Sequence, residues 1–200
     1  MNCPSVSLDP LKVGEQHIKD VLRCLIHTIL FQRVLGPAVP TPMPLEVECD
    51  MLETTYCKLA DLAVDSQVEE CVDSFCRTLK RKDVRRSLIV AFYRTGKKAS
   101  TGWFAKPDKV FWEYWMINLQ VMHDADNREH PLAQVQFKED LKKDLVDRMK
   151  TIIKQTDAAI ENNHVPPLKE GQCFPFEIQF DTQYQSWPSS LMEWVKYGNG

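Results

Sequence analysis

Residues 110–122, VFWEYWMINLQVM, set the strongest constraint on the fold. Phe111, Trp115, Ile117, Leu119 and Val121 share one parity of an extended chain. Val110, Trp112, Tyr114 and Met116 share the other. A strand that is apolar on both faces needs cover on both sides along at least part of its length. It must lie inside a layered domain. The chain has 200 residues, enough for one compact domain or at most two very small ones.

The rest of the chain supplies the layers. In 15–35, Ile18, Val21, Leu22, Leu25, Ile26, Ile29 and Leu30 follow helical spacing, and Gly36-Pro37 stops the run. Cys24 and Phe31 lie off that stripe, so this helix is either sandwiched in the core or covered by a partner. Residues 36–44, with four prolines, form a connector. Leu45, Val47 and Cys49 alternate with acids as in a half-buried strand, and a second extended piece covers 53–60. Ser66 and Glu69 match a capping box opening a helix over 66–80, with Val68, Val72, Phe75 and Leu79 inward. The basic run Arg77–Arg86 reads as a solvated helix end. Residues 87–94 suit a central strand. The segment 132–163 is the longest helix, with Leu141, Leu145, Met149, Ile152, Ile153 and Ile160 inward. On it Glu139–Lys143 and Asp144–Arg148 have the spacing of i,i+4 ion pairs. In 174–180, Phe174, Phe176, Ile178 and Phe180 alternate as in a strand, and a short helix is expected near 189–197. Helices do not alternate strictly with single strands, so the class is α+β.

Charge and cysteines narrow the function classes. Lys+Arg is 25 against Asp+Glu 28, a net charge of -3, with no basic excess for nucleic acid or anionic membranes. The start MNCPSVSLDP lacks the basic and apolar regions of a secretory signal, and no apolar run approaches a membrane span. Seven cysteines without a CxxC pair fit reduced thiols in the cytoplasm. Gly96-Lys97-Lys98 lacks the rest of a phosphate loop, and neither GxGxxG nor HExxH occurs. Cys71 and Cys76, five apart, do not share a helical face, and no structural zinc or other metal site is expected. Cys173 is the least core-like thiol, yet only Lys169 lies near enough in sequence to lower its pKa.

The unusual element is Trp103-Phe104, in the long segment Thr95–Lys109 with Gly102 before it and Lys97, Lys98, Lys106 and Lys109 around it. On composition alone two such rings are expected to fold back onto the core, since burial is worth several kcal/mol. The alternative is a projecting anchor for another protein or a membrane interface.

The order of these pieces resembles the HORMA-domain autophagy proteins of the autophagy-related protein 101 family. The resemblance spans nearly the whole chain. It rests on Met1-Asn2-Cys3, on Val21–Leu30, and on the block from Phe92-Tyr93 through Trp103-Phe104 to Trp112-Glu113-Tyr114-Trp115. It rests also on His164-Val165-Pro166-Pro167 and Pro175-Phe176-Glu177-Ile178. It implies one HORMA domain over 1–200, α+β, with three helices on an antiparallel sheet. It implies no enzymatic activity and no cofactor. The implied partner is the HORMA domain of autophagy-related protein 13, and through it the autophagy-initiating kinase complex. Trp103 and Phe104 match the family's WF finger, which recruits downstream factors, and the resemblance turns the expectation for both rings towards exposure. Some members have a Pro between the rings, whereas here the rings are adjacent. The implied location is the cytoplasm and the phagophore assembly site, with peripheral proximity to membrane.

By analogy with HORMA dimers, the partner surface is expected around 132–163, with Leu132 and Val135, and at Cys24, His27 and Phe31 of the first helix. The shortened belt of the family implies that 174–180 pairs stably. Two rivals remain open: a HORMA adaptor enclosing a peptide under 174–200, and a ubiquitin-conjugation-like enzyme using Cys173, which lacks a His-Pro-Asn-like neighbour.

Overall fold

The computed structural model describes residues 4–34, 43–80, 85–95, 109–122, 131–161, 165–166 and 174–180. At its centre is the doubly apolar strand β6, Lys109–Met122. Strand β5, Arg85–Thr95, runs antiparallel along one edge. Strand β7, Phe176–Phe180, pairs antiparallel with β5. On the other edge of β6 lie two short N-terminal strands, β1 (Ser5–Ser7) and β2 (Leu11–Gly14). Both run parallel to β6, so the expected antiparallel sheet is mixed. The sequence reading contained neither strand, because three or four residues give too little alternation to register.

The two-sided burial of β6 is as its pattern requires. Trp115, Ile117, Leu119 and Val121 enter the main core with Leu88, Val90 and Phe92 of β5. Ile89, Ala91, Tyr114 and Met116 are also buried. Asn118 is satisfied within the sheet, accepting from Ser87 Oγ of β5 at 2.7 Å and donating to the Leu8 carbonyl at 2.9 Å.

After a single 3-10 turn at Glu15–His17 comes helix α1, Ile18–Val34. It is buried on almost every side, since Cys24, His27 and Thr28 are inside together with the predicted stripe. The sandwiched alternative is therefore the correct one. Part of the cover is a hairpin of β3 (Pro44–Cys49) and β4 (Thr54–Leu59). Tyr56 stacks on His27 with ring centroids 5.7 Å apart, and Leu52 is fully buried. At the hairpin tip Glu53 adopts φ 48°.

Helix α2, Leu62–Thr78, begins four residues before the capping-box expectation. Asp61 caps it instead, accepting from the Ala63 and Val64 amides at 2.9 and 3.2 Å. Val64, Val68, Val72 and Phe75 are its buried face. Helix α3 is Pro131–Glu161. Leu141, Leu145 and Ile152 are buried, but Ile153 is exposed, which corrects the expected inner stripe. Lys138 and Lys142 of α3 reach Glu53 at 2.9 and 3.6 Å. Arg148 donates to the Asp9 carbonyl at 3.0 Å, a contact outside the expected i,i+4 pairing. Arg86, expected on a solvated surface, is buried over the Phe75 ring and donates to the Thr78 carbonyl at 3.3 Å.

Candidate protein-interaction site

In the sequence, β5 and β6 flank the segment that carries the two exceptional rings. Thr95 and Lys109 form the last pair of the β5–β6 ladder, and a bulge falls between Phe92 and Tyr93. Opposite that bulge Trp112 is the extra residue of β6, since Phe92 pairs with Glu113 and Tyr93 with Phe111. The end of the ladder is aromatic. Phe92 and Trp112 lie 5.5 Å apart, Trp112 and Phe174 4.8 Å, and Tyr93 and Phe111 5.6 Å. Lys109 sits over the Tyr93 ring at 4.8 Å and forms an ion pair with Glu177 of β7. Trp103, Phe104 and the lysines at 97, 98 and 106 lie outside the described residues. So do Cys173, the 189–197 segment and most of the 36–44 connector.

Just inside the aromatic end, a buried ion pair fixes β6 to α1. Arg33 donates through Nε to Glu113 Oε2 at 2.5 Å and through Nη2 to Oε1, a fork-to-fork pairing. Arg33 also donates to the Thr156 carbonyl of α3 at 3.4 Å and lies 5.8 Å from the Trp115 ring centre. The pair joins the end of α1, β6 and α3. The sequence reading missed it, although a signal was present. Glu113 is the one acid inside an aromatic strand, and Arg33 ends the most apolar helix.

The expected partner residues divide. Cys24 and His27 are 0% and 3% exposed, buried against the hairpin within this chain. They lie off the main α1 stripe yet are core side chains, and they present nothing to a partner. Phe31 is half-buried. Leu132 and Val135 of α3 are 80% and 61% exposed. Ile153 lies eighteen residues beyond Val135, about five turns, so the two share a side of α3.

Titration behaviour follows burial. Desolvation pushes His27 down to about 4, opposed by the Asp65 carboxylate 3.9 Å away. Burial pushes the Cys24, Cys49 and Cys76 thiols up and Cys71 up to about 12. These thiols are therefore held as weak nucleophiles. Among the described residues no group of His, Cys, Asp and Glu could hold a metal ion. Among the same residues no helix is long and apolar enough to cross a membrane.

The β5–β6 ladder, whose strands flank Trp103 and Phe104 in sequence, together with α1, α2 and α3, falls within residues 10–172, which match the family model of autophagy-related protein 101. The chain belongs to that family. Autophagy-related protein 101 of Arabidopsis thaliana is 26% identical over 200 aligned residues, covering 93% of this chain and 91% of its own length. The proteins of the same name from Xenopus laevis and Homo sapiens are 22% and 21% identical, each with 90% of this chain and 89% of their own covered. Family membership makes this an autophagy-related protein, and the family is not one named for an enzymatic activity.

Proposed function

We propose that the chain is a non-enzymatic adaptor of autophagy initiation, a single HORMA domain over 1–200. It pairs with the HORMA domain of autophagy-related protein 13 and stabilises it within the autophagy-initiating kinase complex. It recruits downstream factors through an exposed Trp103-Phe104 finger. It works in the cytoplasm and at the phagophore assembly site, peripheral to membrane, without a cofactor. The observation that carries this reading is the family match across both strands that flank the two rings. The exposed apolar residues Leu132, Val135 and Ile153 support α3 as the pairing surface, because large apolar groups left in water are most useful where another surface covers them.

Pairing and recruitment draw on separate groups in this reading, a helix face and a two-ring tip. Trp103→Ala with Phe104→Ala should leave the melting midpoint and partner binding unchanged while recruitment of downstream factors to the phagophore assembly site is lost. A double variant that unfolds would place both rings in the core and end the finger proposal.

A further inference from the structure

The β3–β4 hairpin is a sheet of its own, and among the described residues no strand pairs with the outer edge of β3. Its register determines what that edge offers. The Ala60 amide donates to the Met43 carbonyl at 3.0 Å, so 43 and 60 form a hydrogen-bonded pair. Such pairs alternate along an antiparallel ladder. Leu45–Lys58 and Val47–Tyr56 are therefore the bonded pairs that follow. The N–H and C=O groups of Glu46 and Glu48 consequently point away from β4, and Pro44 contributes an outward carbonyl.

The pleat sorts the side chains in the same period. Val47 lies on the side of Tyr56, which packs on α1. Met43 and Leu45 share that parity, yet they are 76% and 47% exposed. Glu46 and Glu48 are on the opposite face, exposed, and neither has an ion-pair partner among the described residues. Among the described residues, a row of main-chain groups with no strand partner thus lies between an apolar flank and an acidic one.

We infer that the outer edge of β3 accepts an extended segment of a partner protein in which apolar residues alternate with Lys or Arg. The segment adds a strand to the hairpin. Its main chain pairs with Glu46 and Glu48, its apolar side chains cover Met43 and Leu45, and its cations meet the two carboxylates. Charge selects this occupant over a second copy of the chain. Two β3 edges in antiparallel register would place Glu46 and Glu48 against their own counterparts, and like charges facing each other across strands are unfavourable. The same acids that keep identical edges apart make a basic strand the complementary ligand.

The test uses the full chain and a fluorescein-labelled octapeptide of alternating valine and lysine, with a valine–glutamate octapeptide for comparison, at low salt. The lysine peptide should bind saturably and raise anisotropy, and the glutamate peptide should not. Glu46→Lys with Glu48→Lys should reverse the preference. Glu46→Pro removes one outward N–H while leaving the bonds to β4, and should weaken binding at least about tenfold. Hydrogen exchange supplies a readout that holds even where the proline variant unfolds: peptide should slow exchange at the Glu46 and Glu48 amides. Absence of saturable binding, unaltered exchange at those amides, an unchanged preference in the charge-reversed chain, or self-association through β3 would each overturn the proposal.

Discussion

Helices α1 and α3 begin from similar sequence material, apolar residues at helical spacing, and end in opposite situations. α1 is enclosed, with side chains such as Cys24, His27 and Thr28 buried off the main stripe. α3 is nearly twice as long yet buries one stripe, around Leu141, Leu145 and Ile152, and leaves Leu132, Val135 and Ile153 in solvent. The contrast separates the apolar excess that belongs to the fold from the excess available to a partner. In α1 the excess is used by the β3–β4 hairpin, and in α3 it is not used within the described chain.

That contrast can be broken at its most buried point. Glu113→Ala leaves the Arg33 guanidinium charged in the core, and should lower unfolding stability by about 3–5 kcal/mol, measured by urea denaturation. Replacing both partners with apolar residues of similar volume should recover most of the loss. If Glu113→Ala is silent, α1 is not anchored by this pair.

A pH titration sharpens the same side of the comparison. His27 binds its proton at about 4 in the fold and at 6.5 without it. The unfolded chain therefore takes up the proton first as pH falls. Stability is fully present above pH 6.5 and declines between 6.5 and about 4, by up to about 3 kcal/mol. His27→Phe should flatten the decline in denaturation midpoints across that window. A slope that His27→Phe leaves unchanged would show that other groups govern the acid response.

Asp61→Ala removes the cap of α2, a helix intermediate in burial, and should cost about 1 kcal/mol by the same denaturation assay. The smallest expected effect on stability is at α3. Leu132→Asp with Val135→Asp should leave the unfolding stability within about half a kcal/mol of the parent, because both side chains are already in water. A large drop would show that the helix end packs on the chain itself.

Much of this contrast was legible beforehand, and the failures have physical causes. The two-sided pattern of 110–122 and the period of 15–35 stated their own burial, because every position contributes to a long regular element. The start of α2 was misplaced because Ser66-Glu69 fits a capping box as well as Asp61 fits a cap, and only packing of Val64 decides between them. Cys24 and His27 read as partner-facing because a helix enclosed by its own hairpin and one covered by a partner have the same sequence pattern. Ile153 reads as inward because 3.6-residue spacing places it beside Ile152, and the width of the buried stripe depends on what packs there. Arg33–Glu113 joins residues 80 apart, a pairing no local pattern specifies.

In the proposed function this chain is one half of a heterodimer whose other half covers α3. Co-expression with the HORMA domain of autophagy-related protein 13, followed by light-scattering mass measurement, tests it most directly. The parent chain should give a 1:1 complex, and Leu132→Asp with Val135→Asp should give separate components despite unchanged stability. A parent chain that elutes alone, or a complex indifferent to those two substitutions, would contradict it.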